Sequence, residues 1–178
     1  MSEIARTKTH PVMVGSVQVG GGAPVSVQSM CTTKTDDPDA TLLQIKGLAE
    51  AGCEIIRVAI PDAKALDGFE EICKYSPLPV VADIHFDYKL ALEASKRGAA
   101  ALRINPGNIG SMERVDAVIE AAKEAHIPIR IGVNAGSLAK EFDTRQDMTL
   151  VEKLVASSKS FVEHFSSRGF DDIVLSAK

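Results

Sequence analysis

Read for polarity alone, the chain repeats one unit: a short, nearly all-apolar run, a polar turn, an amphipathic segment, then Gly or Pro before the next run. The runs are Val25–Ser29, Ile55–Ile60, Val80–Ile84, Ala101–Asn105, Ile129–Val133 and Ile173–Ser176. They are rich in β-branched residues and do not alternate with polar ones. That pattern predicts strands buried on both faces, hence parallel. The segments between them carry a helical period. Leu42, Ile45 and Ala49 share one face, and Val115, Val118, Ile119 and Ala122 share another. The longest stripe predicts a helix that buries Leu150, Val151, Leu154, Val155, Ser158, Phe161, Val162 and Phe165. Thr149 and Glu152 read as a capping box at its start. Gly52, Gly98 and Gly169 mark helix stops, and Pro79 and Pro128 mark strand entries. Asp36-Asp37-Pro38-Asp39 reads as a cap-and-turn cluster ahead of the first helix.

Alternating strands and helices imply right-handed βαβ crossovers. Six strands with five connecting helices predict an α/β fold, a TIM (β/α)₈-type barrel truncated to about six βα strands, in one domain over residues 1–178. Before the first strand, Val12–Val14 and Val17–Val19 flank Gly15-Ser16 and predict a short hairpin that plugs the barrel floor.

Composition narrows the function. The chain has no Trp and 4% aromatic residues, so its core is expected from Ile, Val, Leu and Ala. A net charge of −4 argues against nucleic acid as the main partner. No stretch supplies the ~20 apolar residues of a membrane-spanning helix. Met1-Ser2-Glu3-Ile4 lacks the layout of a signal peptide, so a cytoplasmic location is expected. Cys31, Cys53 and Cys73 are odd in number, far apart and without a Cys-x-x-Cys pair. They read as reduced, mostly buried thiols rather than as a disulfide framework or metal site.

Three predicted strands hold an arginine among apolar neighbours: Ile56-Arg57-Val58, Leu102-Arg103-Ile104 and Ile129-Arg130-Ile131. A buried, unpaired guanidinium costs several kcal/mol. Internal salt bridges would account for any one of them. Three on three strands favour convergence at the barrel mouth on a shared anion, because the planar guanidinium fork binds phosphate oxygens in pairs. Gln28, Ser29, Asp83, His85, Asn105, Asn134 and Lys178 add polar groups at strand ends, the face on which such barrels carry their sites. Asp83 lies two positions before His85, on the same side of the strand. The turn Asn105–Gly110, with Ser111 as the cap of the next helix, reads equally as an anion-binding helix start or a plain βα loop.

Four segments, in order, carry a family resemblance: Val27-Gln28-Ser29-Met30, Ala82-Asp83-Ile84-His85-Phe86-Asp87-Tyr88, Arg103-Ile104-Asn105-Pro106-Gly107-Asn108-Ile109-Gly110, and Ile129-Arg130-Ile131-Gly132-Val133-Asn134-Ala135-Gly136-Ser137. Together they resemble the 4-hydroxy-3-methylbut-2-enyl diphosphate synthase family, iron–sulfur oxidoreductases of the non-mevalonate isoprenoid route. The resemblance covers essentially the whole chain. It implies reductive ring opening and dehydroxylation of 2-C-methyl-D-erythritol 2,4-cyclodiphosphate, with electrons from ferredoxin or flavodoxin through a 4Fe–4S cluster, in a homodimer. It further implies that Arg57, Arg103, Arg130 and Lys178 neutralise the diphosphate, while Asp83, His85, Asn105 and Asn134 orient substrate oxygens.

The chain departs from the family at Cys31 and Lys34, where Thr and Asp are common. It also stops at a sixth strand, without the C-terminal iron–sulfur domain or its ligands. No catalytic or metal-binding residue is therefore assigned within it. It is expected to be inactive alone and to self-associate through its open edges. Alternative readings are a dihydropteroate-synthase-like barrel, or a barrel fragment that binds phosphate without catalysis.

Overall fold

The computed structural model describes residues 7–136 and 138–177. Its frame is a parallel sheet of six strands in simple sequence order: β3 (Gln28–Met30), β4 (Ile55–Ala59), β5 (Val80–Asp83), β6 (Ala101–Ile104), β7 (Ile129–Val133) and β8 (Ile173–Ala177). Helices α1 (Pro38–Glu50), α2 (Ala65–Tyr75), α3 (Tyr88–Lys96), α5 (Met112–Ala125) and α7 (Leu150–Ser167) form the crossovers. Two single-turn helices sit in loops that follow strands, α4 (Pro106–Ile109) and α6 (Lys140–Asp143). Sequential pairing with a helix between successive strands of this sheet is the barrel pattern read from the sequence.

Strand residues alternate between two apolar environments. Ile56, Val58, Val80, Ala82, Ile84, Leu102, Ile104, Ile129, Ile131 and Val133 face the helices and join the main core. Ile55, Val81 and Ala101 point inward and pack with Val14 in a second, smaller cluster. Val14 belongs to the antiparallel hairpin β1 (Val12–Val14) and β2 (Val17–Val19). The hairpin therefore closes the floor at the N-terminal ends of the strands. The sheet is curled strongly enough for Arg130 on β7 to reach Gln28 on β3, four strands away.

Local signals act as expected. Asp37 accepts the Ala40 amide and Pro38 opens α1. Thr149 and Glu152 form the reciprocal capping box of α7. Gly52 and Gly98 end their helices at φ of +94° and +88°, where a side chain would be strained. On the outer layer Asp116 of α5 accepts His164 at 2.7 Å and pairs with Arg168, which ties α5 to α7.

The fold departs from the sequence reading in three places. The first strand is Gln28–Met30, not Val25–Ser29, and Val25 and Val27 are exposed. Its partner strand begins only at Ile55, after the turn at Gly52, so regular pairing starts with Gln28↔Ile55. The Val27 amide is instead taken by the Glu54 carboxylate at 2.8 Å. Ser111 occupies the N-cap position of α5, yet its hydroxyl makes no capping hydrogen bond. In α7 the face is narrower than the stripe: Phe161 and Phe165 are buried, whereas Leu150, Val151 and Val155 are exposed. Val151 and Val155 share a groove with exposed Leu175 of the edge strand β8.

Helix α7 thus separates residues that the periodicity placed together. Phe165→Ala is expected to cost about 3–5 kcal/mol of unfolding free energy, and Val155→Ala within about 0.5 kcal/mol of nothing. Urea denaturation of the two variants measures the contrast, and equal losses would contradict the observed placement of α7.

Candidate anion-binding site

Register explains how the polar cluster forms. Asp83 pairs with Arg103, and Arg103 with Arg130, on adjacent strands. Directly opposed residues on parallel strands point the same way, here into the barrel. Arg57 sits two residues beyond inward-facing Ile55 and so shares that direction. All four side chains meet above the apolar floor, toward the C-terminal ends of the strands.

Asp83 is the hub. Its side chain is 1% exposed. Oδ1 accepts Nη1 of Arg103 at 3.0 Å. Oδ2 lies 3.3 Å from Nε of Arg57 and 3.4 Å from Nε2 of His85. The Arg57 contact is within ion-pair distance but misaligned for a hydrogen bond, since Arg57 Nε has no hydrogen-bond partner among the described residues. Nη2 of Arg57 instead approaches the Met30 thioether at 3.0 Å, a weak acceptor.

Among the described residues, the hydrogen-bond partners of Arg130 are neutral. Nη1 donates to Gln28 Oε1 at 2.5 Å and Nη2 to Ser176 Oγ at 3.2 Å. Its Nε is buried without a hydrogen-bond partner among the described residues. Burial first, then the charges of Arg57 and Arg103, push the Arg130 guanidinium below its ordinary pKa, while Asp83 pulls the other way. One carboxylate thus faces three guanidiniums, and the cluster carries excess positive charge. Beneath Arg130 a cavity of about 310 Å³ extends to Val14 on the floor, lined also by Gln28, Ile55, Val81 and Ala101.

The remaining expected residues divide. His85 joins the cluster through Asp83 and is half exposed at the mouth. Asn105 is buried at the end of β6, and its Oδ1 accepts the Gly107 amide, capping α4. Asn134 accepts the Gly136 amide in the same way after β7. Both carboxamide oxygens shape the loops around the mouth. Lys178 lies outside the described residues.

Three contributors escaped the sequence reading, among them Ser176, which accepts from Arg130 and was read only as the end of a strand run. Met30 was seen only as part of a motif. Gly132 is a lone glycine inside an apolar strand, a pattern that signals close approach by another group. A Cβ at Gly132 would stand 2.7 Å from Nη2 and 2.9 Å from Nε of Arg103.

The three cysteines do not fit an iron–sulfur cluster. Cluster ligands are thiolates, whereas burial, with a smaller contribution from Cys53, raises the Cys31 pKa to about 11. Burial, then Glu70, raises that of Cys73 to about 12. Among the described residues no group of three or more His, Cys, Asp or Glu is placed to hold a metal.

A curled parallel sheet with helical crossovers and a cationic cluster toward its strand ends defines a TIM-type α/β barrel domain. The GcpE TIM-barrel domain model matches residues 9–178, and the chain belongs to that family. It is 53% identical over its full length to a 4-hydroxy-3-methylbut-2-en-1-yl diphosphate synthase (flavodoxin) from Geobacillus thermodenitrificans, covering 48% of that protein. It is 54% identical to the enzyme of the same name from Clostridium acetobutylicum, over 97% of this chain and 50% of the relative. The chain therefore spans about half the length of the curated relatives it matches. Among solved structures it is similar to the dihydropteroate synthase of Yersinia pestis, with a TM-score of 0.68 at 12% identity over 93% of this chain and 61% of the other. A phospho-2-dehydro-3-deoxyheptonate aldolase from Thermotoga maritima gives 0.61 at 16%, over 94% and 45%. Likeness at that identity concerns the fold alone.

Two outcomes test this geometry. Asp83→Ala removes a buried carboxylate from between two partly buried arginines and is expected to cost about 2–4 kcal/mol in urea denaturation; an unchanged midpoint would remove Asp83 from the hub. The cysteines give a pH signature. Their folded pKa values, about 11 and 12, lie above the ordinary 9.0, so the fold favours the neutral thiol. Their contribution is complete below pH 9 and is lost as pH rises through the folded values, because the unfolded chain releases these protons first. The denaturation midpoint is expected to fall less steeply above pH 9 in Cys31→Ala/Cys73→Ala than in the parent; parallel profiles would contradict the buried-thiol assignment.

Proposed function

We propose that this chain is the substrate-binding barrel of a 4-hydroxy-3-methylbut-2-enyl diphosphate synthase, and that its cationic mouth holds the diphosphate of 2-C-methyl-D-erythritol 2,4-cyclodiphosphate. The observation that carries the proposal is Arg130, a half-buried guanidinium with a shielded Nε and neutral hydrogen-bond partners, beside two further arginines that share one carboxylate. Such an excess of partly buried positive charge is satisfied by a polyanion, and arginine forks suit paired phosphate oxygens. The relatives' names point to the same ligand class, since each denotes a diphosphate synthase.

In this reading Asp83 holds Arg57 and Arg103 in place, so the forks are ordered before substrate arrives. His85, reached through Asp83 and half exposed, meets the substrate from the solvent side. Asn105 and Asn134 shape the loops that line the mouth, and Lys178 adds a further cation at the end of β8. The reaction is a reductive ring opening and dehydroxylation, and the electrons belong to a 4Fe–4S cluster held outside these residues and supplied by flavodoxin or ferredoxin. The working enzyme is a cytoplasmic homodimer in this proposal.

Calorimetric titration with the cyclodiphosphate tests the assignment. Arg103→Ala and Arg130→Ala are each expected to weaken binding by about 10- to 100-fold, the magnitude of a charge-assisted hydrogen bond. Unchanged affinity in both variants would move the anion site elsewhere. Absence of binding by a folded parent chain would show that the site needs residues beyond this segment.

A further inference from the structure

Gly132 sits in the interior of β7, where glycine is a poor choice. It forgoes packing and costs backbone entropy, about 0.5–1 kcal/mol relative to alanine. Its backbone does not require glycine, since its φ lies outside the positive range that side chains avoid. It is buried and in register with Ser176 of β8. What the position does require is space. The three atoms nearest to an added Cβ all belong to Arg103: Nη2 at 2.7 Å, Nε at 2.9 Å and Cζ at 3.1 Å. Those atoms form a rigid plane, and its third nitrogen, Nη1, is bonded to Asp83 at 3.0 Å. The guanidinium cannot yield to a methyl group by rotating one torsion without losing that bond.

We propose that Gly132 is a positioning residue for the anion site. Its bare Cα is the shelf on which the Arg103 guanidinium lies flat, and this fixes the fork against Asp83 and toward the mouth. Arg103 and Arg130 are opposed on neighbouring strands, and Gly132 is the next inward position above Arg130. Side chains of ordinary size at all three positions would crowd one wall of the barrel. The glycine removes one of them, so two arginines can stand side by side. Alanine at this position would tilt the Arg103 fork away from Asp83 and strip the hub of its best-formed bond. This inference rests on the anion-site reading above for its effect on ligand, but the contact itself is independent of that reading.

The test is a double-mutant cycle between positions 132 and 103 in the full-length protein, read in two ways. The first is thermal unfolding without ligand. Gly132→Ala is expected to lower the midpoint by about 3 °C or more in the parent, and by less than about 1 °C in Arg103→Ala, where the obstructed side chain is gone. The second is calorimetric affinity for inorganic diphosphate. Gly132→Ala is expected to weaken it about tenfold in the parent and not at all in Arg103→Ala. Additive thermal losses would overturn the shelf, because the cost of the methyl group would then lie elsewhere. Coupled thermal losses with unchanged diphosphate affinity would overturn the positioning role. A parent that does not bind diphosphate would sink the anion-site reading and the positioning role with it, while the thermal cycle still decides whether Gly132 seats Arg103. If Gly132→Ala alone fails to fold, recovery of folding in Gly132→Ala/Arg103→Ala supports the proposal and continued failure refutes it.

Discussion

The barrel interior turns on one carboxylate. Asp83 accepts from Arg103, lies beside Arg57 and His85, and is almost wholly shielded from solvent. A lone aspartate in that position would be driven to its neutral form, and lone arginines would be costly to bury. Together they permit a polar layer inside a core that is otherwise aliphatic. The layer is left with excess positive charge because a single acid serves the cluster. That imbalance is what the proposed anion site rests on, because a purely structural salt bridge would close its charges on themselves.

The rest of the architecture supports this layer from two sides. Below it, Val14 of the hairpin packs on Ile55, Val81 and Ala101 and closes the floor. Around it, the outward strand residues pack on α1, α2, α3, α5 and α7 in one continuous core. Strands anchored on both faces hold their inward side chains at fixed heights, and the parallel register then brings Asp83, Arg103 and Arg130 level. The loops above are ordered by their own capping groups, Asn105 over α4 and Asn134 over the turn that follows β7. The end at β8 is different. Leu150, Val151, Val155 and Leu175 remain exposed there, so the apolar pattern outruns the burial.

Much of this was legible in the chain itself, for a physical reason. Burial on both faces forces an unbroken apolar run, helices on one side force a 3.6-residue period, and both patterns are local. Capping is local too, so Asp37, Thr149 and Glu152 could be assigned from short spacings. An arginine within an apolar run is visible as a conflict between composition and environment. Arg57, Arg103 and Arg130 were for that reason readable without coordinates as residues in need of polar partners, and they do converge with Asp83.

What remained hidden depends on contacts between distant segments. Pairing of β3 with β4 set where the first strand begins, because Glu54 captures the Val27 amide and regular register starts one residue later. The free side of α7 follows from which strand is last in the sheet, which no helical period encodes. The bond from Arg130 to Gln28 exists because the sheet curls through four strands, and the space over Gly132 exists because two neighbouring strands are in register. The sequence by itself determined the elements, their caps and the charged residues that had to find partners. Only the tertiary structure decided which partners they found, because strand register and sheet curvature are collective properties of segments a hundred residues apart.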